Sequence, residues 1–358
     1  MHKKDLLTPA LILDLDMFEA NVHRMASHAA VSGKRLRPHA KAHKCVEIAR
    51  RQVDAGAVGV CVATVQEMAW MARHSIPGIL LTCPIATAAK AEHVVPLAGH
   101  APDLTIVIDH PQQVELWQKY AAMASWNLQV LVDLDVGDHR TGMPCDERAI
   151  ELAKQIHRSP NLELRGVQAY SVSGSHTDGF EARRQHSLTS LAPAIQIFEE
   201  MRRVGLPVEI FSGGSTGTWN IDTAIPEFTE LQAGSYVGMD IAYRRIGVDF
   251  LPALSVAATV ISANHSNRVT IDAGFKAFST DRPFGPEPRA LPGVRYQWAG
   301  DEHGFLLGDV ASLRLGDMVD LDPPHCDPTF NLYDRVYACR GDQVEHIWML
   351  KGVDTMRS

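Results

Sequence analysis

The sequence lacks several features that mark specialised classes of protein. Only six of its 358 residues are cysteine, and no two of them form a CxxC pair, which argues against a zinc ribbon or a dense disulfide framework. No apolar run approaches the ~20 residues needed to span a bilayer. Asp14 and Asp16 interrupt the apolar stretch near the start of the chain, so no signal peptide is predicted. We therefore expect a reduced, cytoplasmic protein.

Blocks of like charge, internal repeats and low-complexity tracts are also missing. The formal net charge of -8 is spread along the chain, which disfavours non-specific binding to nucleic acid or to an anionic membrane. Hydrophobic residues make up 46% and charged residues 21%, as expected for a globular protein with a sizeable core. The unusual feature of the composition is its 17 histidines.

Residues 36–235 alternate short apolar runs with longer amphipathic stretches. The runs are mainly β-branched or aliphatic and are bounded by Gly, Pro, Asp or Ser, which is typical of buried parallel strands separated by helices. With residues 36–39 as the first strand and 228–233 as the last, eight strands are predicted, which favours a (β/α)8 barrel over an open sheet. The other strands are predicted at 58–63, 78–83, 104–109, 128–135, 164–170 and 208–214, and helices at 65–74, 86–98, 111–125, 146–158 and 181–205.

From about residue 247 the pattern changes to β-branched, partly alternating segments separated by Gly, Pro, Asn and Asp. Few helical patterns lie between them, so we expect an antiparallel β domain. Residues 281–304 are rich in proline and glycine and are predicted to form a long irregular excursion. The strands are predicted at 254–263, 268–274, 318–323, 334–341 and 343–352.

The string LRPHAKAHK, residues 36–44, is the first candidate for chemistry. On a strand covering residues 36–41, Arg37, His39 and Lys41 would alternate onto one face, at the end of the barrel where active sites form. A desolvated lysine there would offer its neutral amine as a nucleophile. Three cations on one inward face also imply an anionic partner. A solvated basic patch is the alternative.

Two glycine-rich strings follow the last two predicted barrel strands. In FSGGSTGTW, residues 211–219, three glycines allow the backbone to approach an anion, and Ser215 and Thr216 add hydroxyl donors. Gly234 and Ser235 follow the next strand. The loops after the seventh and eighth strands are a frequent phosphate site in such barrels. A plain turn between strand and helix is the alternative.

Two more strings follow predicted strands. VDLDVGDHRTG, residues 132–142, contains Arg140, whose cation could neutralise an oxyanion, although a salt bridge to one of three nearby aspartates is the alternative. AYSVSGSHT, residues 169–177, places His176 in a loop after Tyr170. That histidine could act as a general acid or base, or be an ordinary hydrogen-bonded loop residue.

A possible metal pair occurs in DPPHCDPTFNLYD, residues 322–334. In an extended stretch His325 and Asp327 would point the same way and could share one ion, whereas Cys326 would point away. A histidine and a carboxylate, with the remaining sites left to water, suit Mn²⁺ or Mg²⁺. Two candidate ligands alone are weak support for a metal site.

Together these strings resemble the fold-type III pyridoxal-phosphate enzymes related to D-threonine aldolase and D-serine dehydratase. The resemblance runs from TPALILDLD through RPHAKAHK, ATVQE, DHRTG, QAY, SGGSTG and ELQAGSY to PPHCDPT. It implies an alanine-racemase-like architecture, a (β/α)8 barrel that binds pyridoxal 5'-phosphate and a C-terminal antiparallel β domain joined by the N-terminal strand. The implied division is 1–35 for that strand and a leading helix, 36–246 for the barrel and 247–358 for the β domain.

The resemblance also implies roles for individual residues. Lys41 matches the lysine that binds the cofactor covalently, and His176 matches an active-site histidine. Arg140 matches an arginine near the 3'-oxygen of the cofactor, with Tyr170 packed beside it. The residues at the phosphate would be Ser212, Gly214, Thr216, Gly234, Ser235 and Tyr236, and the metal ligands would be His325 and Asp327.

The metal string separates branches of this family. The dehydratase branch has His-x-Cys, which favours zinc, whereas this chain has Asp327 at the second ligand position. That resembles the aldolase branch and favours Mn²⁺ or Mg²⁺ over Zn²⁺. The implied reaction is cleavage of D-threonine and other 3-hydroxy-D-amino acids to glycine and an aldehyde. The metal would bind the substrate 3-hydroxyl, and His176 would assist there.

Three alternatives remain at this point. The chain could be a dehydratase that converts D-serine or 3-hydroxyaspartate to a 2-oxo acid and ammonia. It could be an aldolase specialised for 3-hydroxy-D-aspartate, although the sequence does not reveal the extra cation that a second carboxylate needs. A non-catalytic pyridoxal-phosphate carrier would resemble the barrel alone, so the β domain argues against it. The expected partners are the small-molecule substrate and a second copy of the chain in a homodimer.

Overall fold

The computed structural model describes residues 1–350, and the chain forms two compact units. We call them the barrel unit and the sheet unit, and we number strands and helices along the chain. The barrel unit comprises Arg24–Lys41 and Val46–Gly234, and the sheet unit comprises Met1–His23, Ala42–Cys45 and the chain from Ser235 onward.

The chain begins with strand β1, Ala10–Asp14, and helix α1, Leu15–Val31. The carboxylate of Asp14 accepts a hydrogen bond from the amide of Met17 at 2.9 Å. It satisfies one of the amides that have no partner within the first turn of a helix. The strand therefore passes directly into the helix.

The barrel is built from short parallel strands. They are β2 Arg35–Leu36, β3 Cys61–Val62, β4 Leu80–Leu81, β5 Thr105–Ile108, β6 Leu128–Asp135, β7 Met143–Pro144, β8 Leu162–Ala169, β9 Ile210–Gly213 and β10 Glu230–Leu231. Their order is β2-β10-β9-β8-β6-β5-β4-β3, with β7 paired to the end of β6. A parallel bridge between His39 and Cys61 joins the two ends, and the Cys61 amide donates to the Pro38 carbonyl at 2.9 Å. Within the described residues the sheet thus closes on itself, which confirms the predicted barrel.

Part of the interior of this barrel is apolar. Cys61, Leu80, Val107, Leu131 and Ile210 come from five different strands and form one buried cluster. Side chains from parallel strands fill such a barrel in layers, so it has a packed core rather than a pore.

Helices connect the barrel strands as the sequence pattern predicts. Each of the five helices predicted in this region is present to within two residues at each end, if the 3-10 turn Val95–Leu97 is counted with α4. Side-chain caps start several of them, and the Thr64 hydroxyl, for example, accepts from the Glu67 amide at 3.1 Å. The helices are α2 Val46–Asp54, α3 Val65–Arg73, α4 Ala88–Val94, α5 Pro111–Met123, α6 Glu147–Arg158, α7 Phe180–Arg203 and α8 Trp219–Asp222.

The first barrel strand is shorter than the sequence predicts. Strand β2 ends at Leu36, and the chain turns into a 3-10 helix at Ala40–Ala42. Backbone hydrogen bonds to the neighbouring chain continue past Leu36, from the Arg37 amide to the Leu231 carbonyl at 2.9 Å and from the His39 amide to the Ala233 carbonyl at 3.3 Å. The 3-10 helix then ends the extended chain, so the prediction that Arg37, His39 and Lys41 alternate on one strand face is wrong at Lys41.

The sheet unit contains the remaining elements. They are α9 Ile241–Arg245, β11 Leu254–His265, β12 Arg268–Ile271, β13 Glu287–Pro288, β14 Val294–Trp298, β15 Gly304–Gly308, β16 Met318–Asp322, α10 Cys326–Asn331, β17 Arg335–Arg340 and β18 Gln343–Met349. In the described chain the strand order is β14-β15-β12-β11-β1-β17-β18, and β16 pairs with β11 and β13. Strand β1 runs antiparallel to β11 and parallel to β17. The N-terminal strand thus lies inside the C-terminal sheet.

The core of this sheet draws on both ends of the sequence. Leu6, Ala10 and Ile12 pack with Ala257 and Cys339 in one buried cluster. Burial of these side chains, each worth up to about 2 kcal/mol, gives the N-terminal segment a reason to remain in the sheet. No helix among residues 1–350 is both long and apolar enough to cross a membrane.

The excursion predicted for residues 281–304 is more ordered than expected. It contains β13 and β14, and β14 forms an antiparallel pair with β15. The aromatic rings of Tyr296 and Trp298 lie 5.0 Å apart between centroids and both contact Phe278. Proline and glycine on either side conceal the alternation of VRYQW in the sequence, whereas packing of its aromatic rings stabilises the strand.

Candidate functional site

The candidate site residues of the barrel unit lie in loops at one edge of the barrel. Because the strands are parallel, the loops that follow them all leave at the same end. The sequence predicted active-site side chains at this end of the barrel, and the structure places them there, although Lys41 lies after its strand rather than on it. Lys41 follows β2, Arg140 follows β6, Tyr170 and His176 follow β8, Ser212, Gly214 and Thr216 end or follow β9, and Gly234 follows β10.

Lys41 lies in the 3-10 helix after β2, with an exposed side chain. The sequence predicts a desolvated lysine, whereas the amine here stands at the open rim. Its neighbour His39 contacts the Thr82 hydroxyl through Nε2 at 3.1 Å. Thr82, which follows β4, in turn donates to the Val62 carbonyl at 3.1 Å. Contacts between neighbouring barrel strands thus support the segment that carries Lys41.

Arg140 and Tyr170 come together at the rim. The guanidinium carbon of Arg140 lies 5.3 Å from the centroid of the Tyr170 ring, within the range of a cation–π interaction. The hydroxyl of Ser175 lies 3.4 Å from that of Tyr170. Ser175 belongs to the 3-10 turn Gly174–His176, so the loop that carries His176 also contacts Tyr170.

The three aspartates near Arg140 bind the polypeptide rather than the arginine. Asp133 accepts from the Thr141 hydroxyl at 2.9 Å. Asp135 accepts from the His139 amide at 3.0 Å and contacts its ring at 2.6 Å. Asp138 accepts from two amides of the loop after β8. These carboxylates hold the loop in shape, and none of the contacts described for them is the salt bridge to Arg140 that the sequence left open.

The glycine-rich loop after β9 needs its glycines. A Cβ on Gly213 would lie 1.9 Å from the Ala169 carbonyl oxygen, and one on Gly217 would lie 1.9 Å from that of Ser175. Gly214 has a φ of +73°, a conformation that glycine adopts without strain. The loop therefore passes closely against the end of β8 and the loop that follows it.

A buried aspartate, Asp222, supports the glycine-rich loop after β9. Asp222 accepts hydrogen bonds from the hydroxyls of Ser187 and Thr218. Thr218 accepts in turn from the Ser215 amide at 3.1 Å. Burial raises the pKa of Asp222 to about 6, although both hydroxyl donors act to lower it. This chain of hydrogen bonds fixes where the amides and hydroxyls of the loop point.

Arg183 joins the two loops that carry His176 and Thr216. It lies on α7 and is buried, and its Nε donates to the Gly217 carbonyl at 2.8 Å. One terminal nitrogen donates to the Thr177 carbonyl at 2.9 Å. No local motif in the sequence indicates Arg183, because α7 has the pattern of an ordinary amphipathic helix.

A buried chain of polar side chains crosses the barrel interior and contains Ser212. The Ser212 hydroxyl donates to Glu230 at 2.9 Å, and Glu230 also forms an ion pair with Arg37 at 2.8 Å. Gln232 donates to Ser212 at 3.0 Å and to Gln168 at 3.2 Å. The anionic partner expected for Arg37 is thus a carboxylate of the protein itself.

The far end of this chain is Asp133. Gln168 donates to it at 2.8 Å, and the pKa of Asp133 is raised to about 6 by burial, against the effect of the Gln168 and Thr141 hydrogen bonds. The same carboxylate that contacts the loop of Arg140 is therefore connected to Glu230 through side chains inside the barrel. Only the spacing of polar residues within apolar strands could have indicated this.

In the sheet unit the structure brings Ser235 and Asp327 together. The Ser235 hydroxyl donates to the Asp327 carboxylate at 2.7 Å. Asp327 lies in the first turn of α10, and His325 is the N-cap residue before it. The extended stretch predicted for the pair is therefore wrong, because Cys326 already begins a helix. Tyr236 is fully buried, and its ring packs 5.6 Å from that of Phe250.

Cys326 lies between His325 and Asp327 in the sequence, and it contacts Asp240. The Cys326 amide donates to Asp240 at 2.9 Å, and its sulfur lies 3.3 Å from an oxygen of Asp327. The thiol is fully buried, and burial raises its pKa well above the ordinary value.

His325 has a second carboxylate partner that the sequence did not indicate. Its Nδ1 lies 2.7 Å from Asp281, a residue of the proline-rich excursion. The hydroxyl of Ser279 accepts from the His325 amide and donates to its carbonyl, both at 3.1 Å. Asp281 and Ser279 precede His325 by more than forty positions, so no local motif points to them.

The residues described above can be compared with the two groups that the sequence implies, pyridoxal phosphate and a divalent metal ion. The loop after β9 presents amides and hydroxyls without side-chain bulk, and Arg140 adds a cation beside an aromatic ring, which fits an anionic aromatic cofactor such as pyridoxal phosphate. Among residues 1–350 no three His, Cys, Asp or Glu side chains cluster as a metal site. His325 and Asp327 fit a hard divalent ion that takes its other ligands from water or substrate.

A closed parallel barrel with a lysine and a glycine-rich loop at its rim, carried with a β-sheet that includes the N-terminal strand, defines the alanine-racemase-like class of proteins. The family model for the alanine racemase N-terminal domain matches residues 13–241, and that for a putative serine dehydratase domain matches residues 253–339. The chain belongs to this alanine-racemase-like family, in the group that contains D-threonine aldolase and 3-hydroxy-D-aspartate aldolase.

Similarity to individual proteins extends over nearly the whole chain. A D-threonine aldolase from Arthrobacter sp. is 36% identical over 95% of this chain and 91% of its own length. A 3-hydroxy-D-aspartate aldolase from Paracoccus denitrificans (strain Pd 1222) is 32% identical over 97% and 92%. The crystal structure of D-threonine aldolase from Filomicrobium marinum superposes with a TM-score of 0.93 at 34% identity, covering 97% of this chain and 95% of that one.

Proposed function

We propose that the protein is a pyridoxal-phosphate-dependent carbon–carbon lyase that cleaves D-threonine and other 3-hydroxy-D-amino acids to glycine and an aldehyde. The observation that carries this proposal is that Asp327 stands at the second ligand position, two residues after His325, on a family scaffold that has Lys41 at the barrel rim. A carboxylate at the second ligand position suits the aldolase branch, whereas the only cysteine in the string, Cys326, is buried with a raised pKa.

The barrel loops would hold the cofactor. Lys41 would bind it covalently, and Arg140 and Tyr170 would lie beside its ring. The amides and hydroxyls of Ser212, Gly214, Thr216, Gly234, Ser235 and Tyr236 would hold its phosphate. When bound, pyridoxal phosphate accepts the electron pair released as a bond to the substrate Cα breaks.

His325 and Asp327 would hold the metal, with Mn²⁺ or Mg²⁺ favoured over Zn²⁺. Such an ion lowers the pKa of a coordinated hydroxyl, which favours loss of the proton from the substrate 3-hydroxyl. His176 is half-buried in a loop at the rim and has the residue type needed to take up or hold that proton as the Cα–Cβ bond breaks.

The direct test is product analysis. Incubation of the purified protein with D-threonine, pyridoxal phosphate and Mn²⁺ should give glycine and acetaldehyde in equal amounts, and chelation should stop the reaction until Mn²⁺ is returned. Full activity in metal-free protein would remove the metal from the proposal. Formation of a 2-oxo acid and ammonia instead would establish the dehydratase alternative.

The role of Lys41 has its own test. Lys41→Ala should abolish the visible absorbance of bound pyridoxal phosphate as well as D-threonine cleavage, because the covalent link to the protein is lost. Lys90→Ala, at an exposed position on α4, is the matched control and should keep both. A Lys41→Ala protein with the original absorbance band would disprove the assignment.

A second candidate, an aldolase specialised for 3-hydroxy-D-aspartate, is favoured by Arg282. Its Nε lies 3.5 Å from the Asp281 oxygen that His325 also contacts, so a cation is present close to the proposed metal pair. If it binds the second carboxylate, Arg282→Met should lower kcat/KM for 3-hydroxy-D-aspartate roughly 30-fold, equivalent to about 2 kcal/mol for a charged hydrogen bond. D-Threonine turnover is the internal control, and an equal loss for both substrates would reject this candidate.

The remaining expectations are a homodimer, a cytoplasmic location and the absence of a nucleic-acid partner. No disulfide joins any of the six cysteines, all of which lie within residues 1–350. Light scattering on the purified protein would test the homodimer, since a monomeric mass would contradict it. A non-catalytic carrier would be indicated by stable cofactor binding without turnover of any 3-hydroxy amino acid.

A further inference from the structure

We infer that Asp281 is a positioning residue that orients the His325 ring and fixes its tautomer for binding a divalent cation. The inference deepens the proposed function and rests on its assignment of His325 as a metal ligand. It concerns two side chains of the sheet unit that are 44 positions apart in sequence.

The side chains of Asp281 and His325 are in direct contact. Asp281 Oδ2 lies 2.7 Å from His325 Nδ1, and the Nε of Arg282 lies 3.5 Å from the same oxygen. A carboxylate can accept a hydrogen bond but cannot donate one. Nδ1 must then carry the proton, so the lone pair of the neutral ring is on Nε2, the atom that would bind a metal.

The backbone of His325, like its ring, is held by hydrogen bonds to the segment that carries Asp281. Ser279, two residues before Asp281, holds the amide and the carbonyl of His325 through one hydroxyl. The Thr329 hydroxyl donates to the same carbonyl at 2.7 Å and accepts from the Ser279 amide at 3.1 Å. The segment that carries Asp281 is thus attached to the segment that carries His325.

The contact between Asp281 and His325 contributes little to the free energy of unfolding. The Asp281 side chain is 43% exposed, and ion pairs at such positions contribute little to stability. A carboxylate that accepts from the second nitrogen of a metal-binding histidine is, in contrast, a common means of raising metal affinity. The position and the exposure therefore favour a role in ligand orientation.

The test is Mn²⁺ binding to the holoenzyme, measured by electron paramagnetic resonance of free Mn²⁺. Asp281→Asn keeps the shape of the side chain, but its amide can donate to Nδ1 and allow the other tautomer. We expect its affinity for Mn²⁺ to fall about 10- to 100-fold, with the affinity for pyridoxal phosphate unchanged. Asp301→Asn, at an exposed acid of the same unit that pairs with Lys276, is the matched control and should bind Mn²⁺ as the wild type does.

The possible outcomes separate failure of the inference about Asp281 from failure of the proposed function. A lower Tm of Asp281→Asn in the presence of chelator, with unchanged Mn²⁺ affinity, would show a purely structural role and overturn the inference. Wild-type Mn²⁺ affinity in both variants would also overturn it while leaving the proposed function intact. If the wild-type protein itself binds no Mn²⁺, the metal role of His325 fails and the inference fails with it. Recovery of D-threonine cleavage by Asp281→Asn at high Mn²⁺ would support positioning, because the chemistry is then intact.

Discussion

At the scale of single residues, the buried acid Asp222 makes a prediction about pH. Its pKa in the folded protein is about 6, above the value near 3.9 of an unfolded aspartate. The folded protein therefore binds this proton more tightly. The resulting stabilisation is complete below pH 4 and is lost as the pH rises through 6.

Asp222→Asn removes this titration and provides the measurement. The free energy of unfolding of the wild type, minus that of the variant, should fall by about 2 kcal/mol between pH 4 and pH 7. Urea unfolding of both proteins across this range tests it. The subtraction cancels the similar titration of Asp133, and a difference that does not vary with pH would contradict the prediction.

Residue positions were predictable where a local motif carries the signal. The location of Lys41, Arg140 and His176 at one end of the barrel was predictable because each follows an apolar run, and parallel strands place such residues at one rim. Their roles in the reaction stay predictions. Asp281 and Arg183 were missed because their partners are distant or are backbone carbonyls. A sequence shows residue types and spacing along the chain, whereas these roles depend on proximity that only the fold creates.

At the scale of elements, the pairing of β2 with β10 depends on a buried ion pair. Arg37 and Glu230 are 8% and 0% exposed; Arg37 directly follows β2, and Glu230 begins β10. Arg37→Met should destabilise the protein by about 3–5 kcal/mol, since it leaves Glu230 buried without its charge partner. The double variant with Glu230→Gln should recover part of that loss. Urea unfolding measures both, and a double variant less stable than Arg37→Met would show that the pair is not the cause.

The loop after β9 gives a second prediction at this scale. Gly217→Ala would place a methyl group 1.9 Å from the Ser175 carbonyl oxygen, so the loop must move away from the end of β8. We expect about tenfold weaker binding of pyridoxal phosphate, in keeping with the usual cost of overpacking. Gly99→Ala is the control, because a Cβ there meets nothing within 4 Å. Equal cofactor affinity in both variants, by absorbance titration, would contradict a role for the loop.

Elements were more predictable than residues, except where two signals conflict. The barrel helices were correct because repeated apolar positions at helical spacing extend over ten or more residues. Strand β14 was missed because proline and glycine surround its five residues, and β2 was predicted too long because apolar and basic residues continue past Pro38. Packing of Tyr296 and Trp298 stabilises the first, and the 3-10 helix at Ala40–Ala42 ends the extended chain that follows the second.

At the scale of the whole molecule, the central place of β1 makes the sheet unit discontinuous in sequence. Strand β1 pairs on one side with β11 and on the other with β17. A fragment of residues 247–350 should therefore fail to fold by circular dichroism, because it lacks the strand between these two. A peptide of residues 1–14, joined through a flexible linker, should restore a cooperative thermal transition. Cooperative unfolding of the fragment alone would contradict this account.

The same strand has a consequence for synthesis on the ribosome. Strand β1 is complete at Asp14, but β17 begins at Arg335, so about 320 residues are made between them, which takes roughly twenty seconds to a minute at ~5–20 residues per second. The other neighbour of β1, strand β11, begins only at Leu254, so for most of that time the apolar side chains of Ala10–Asp14 have no sheet to join. A nascent chain of this protein thus offers chaperones an early, exposed binding segment that only the final part of translation can cover.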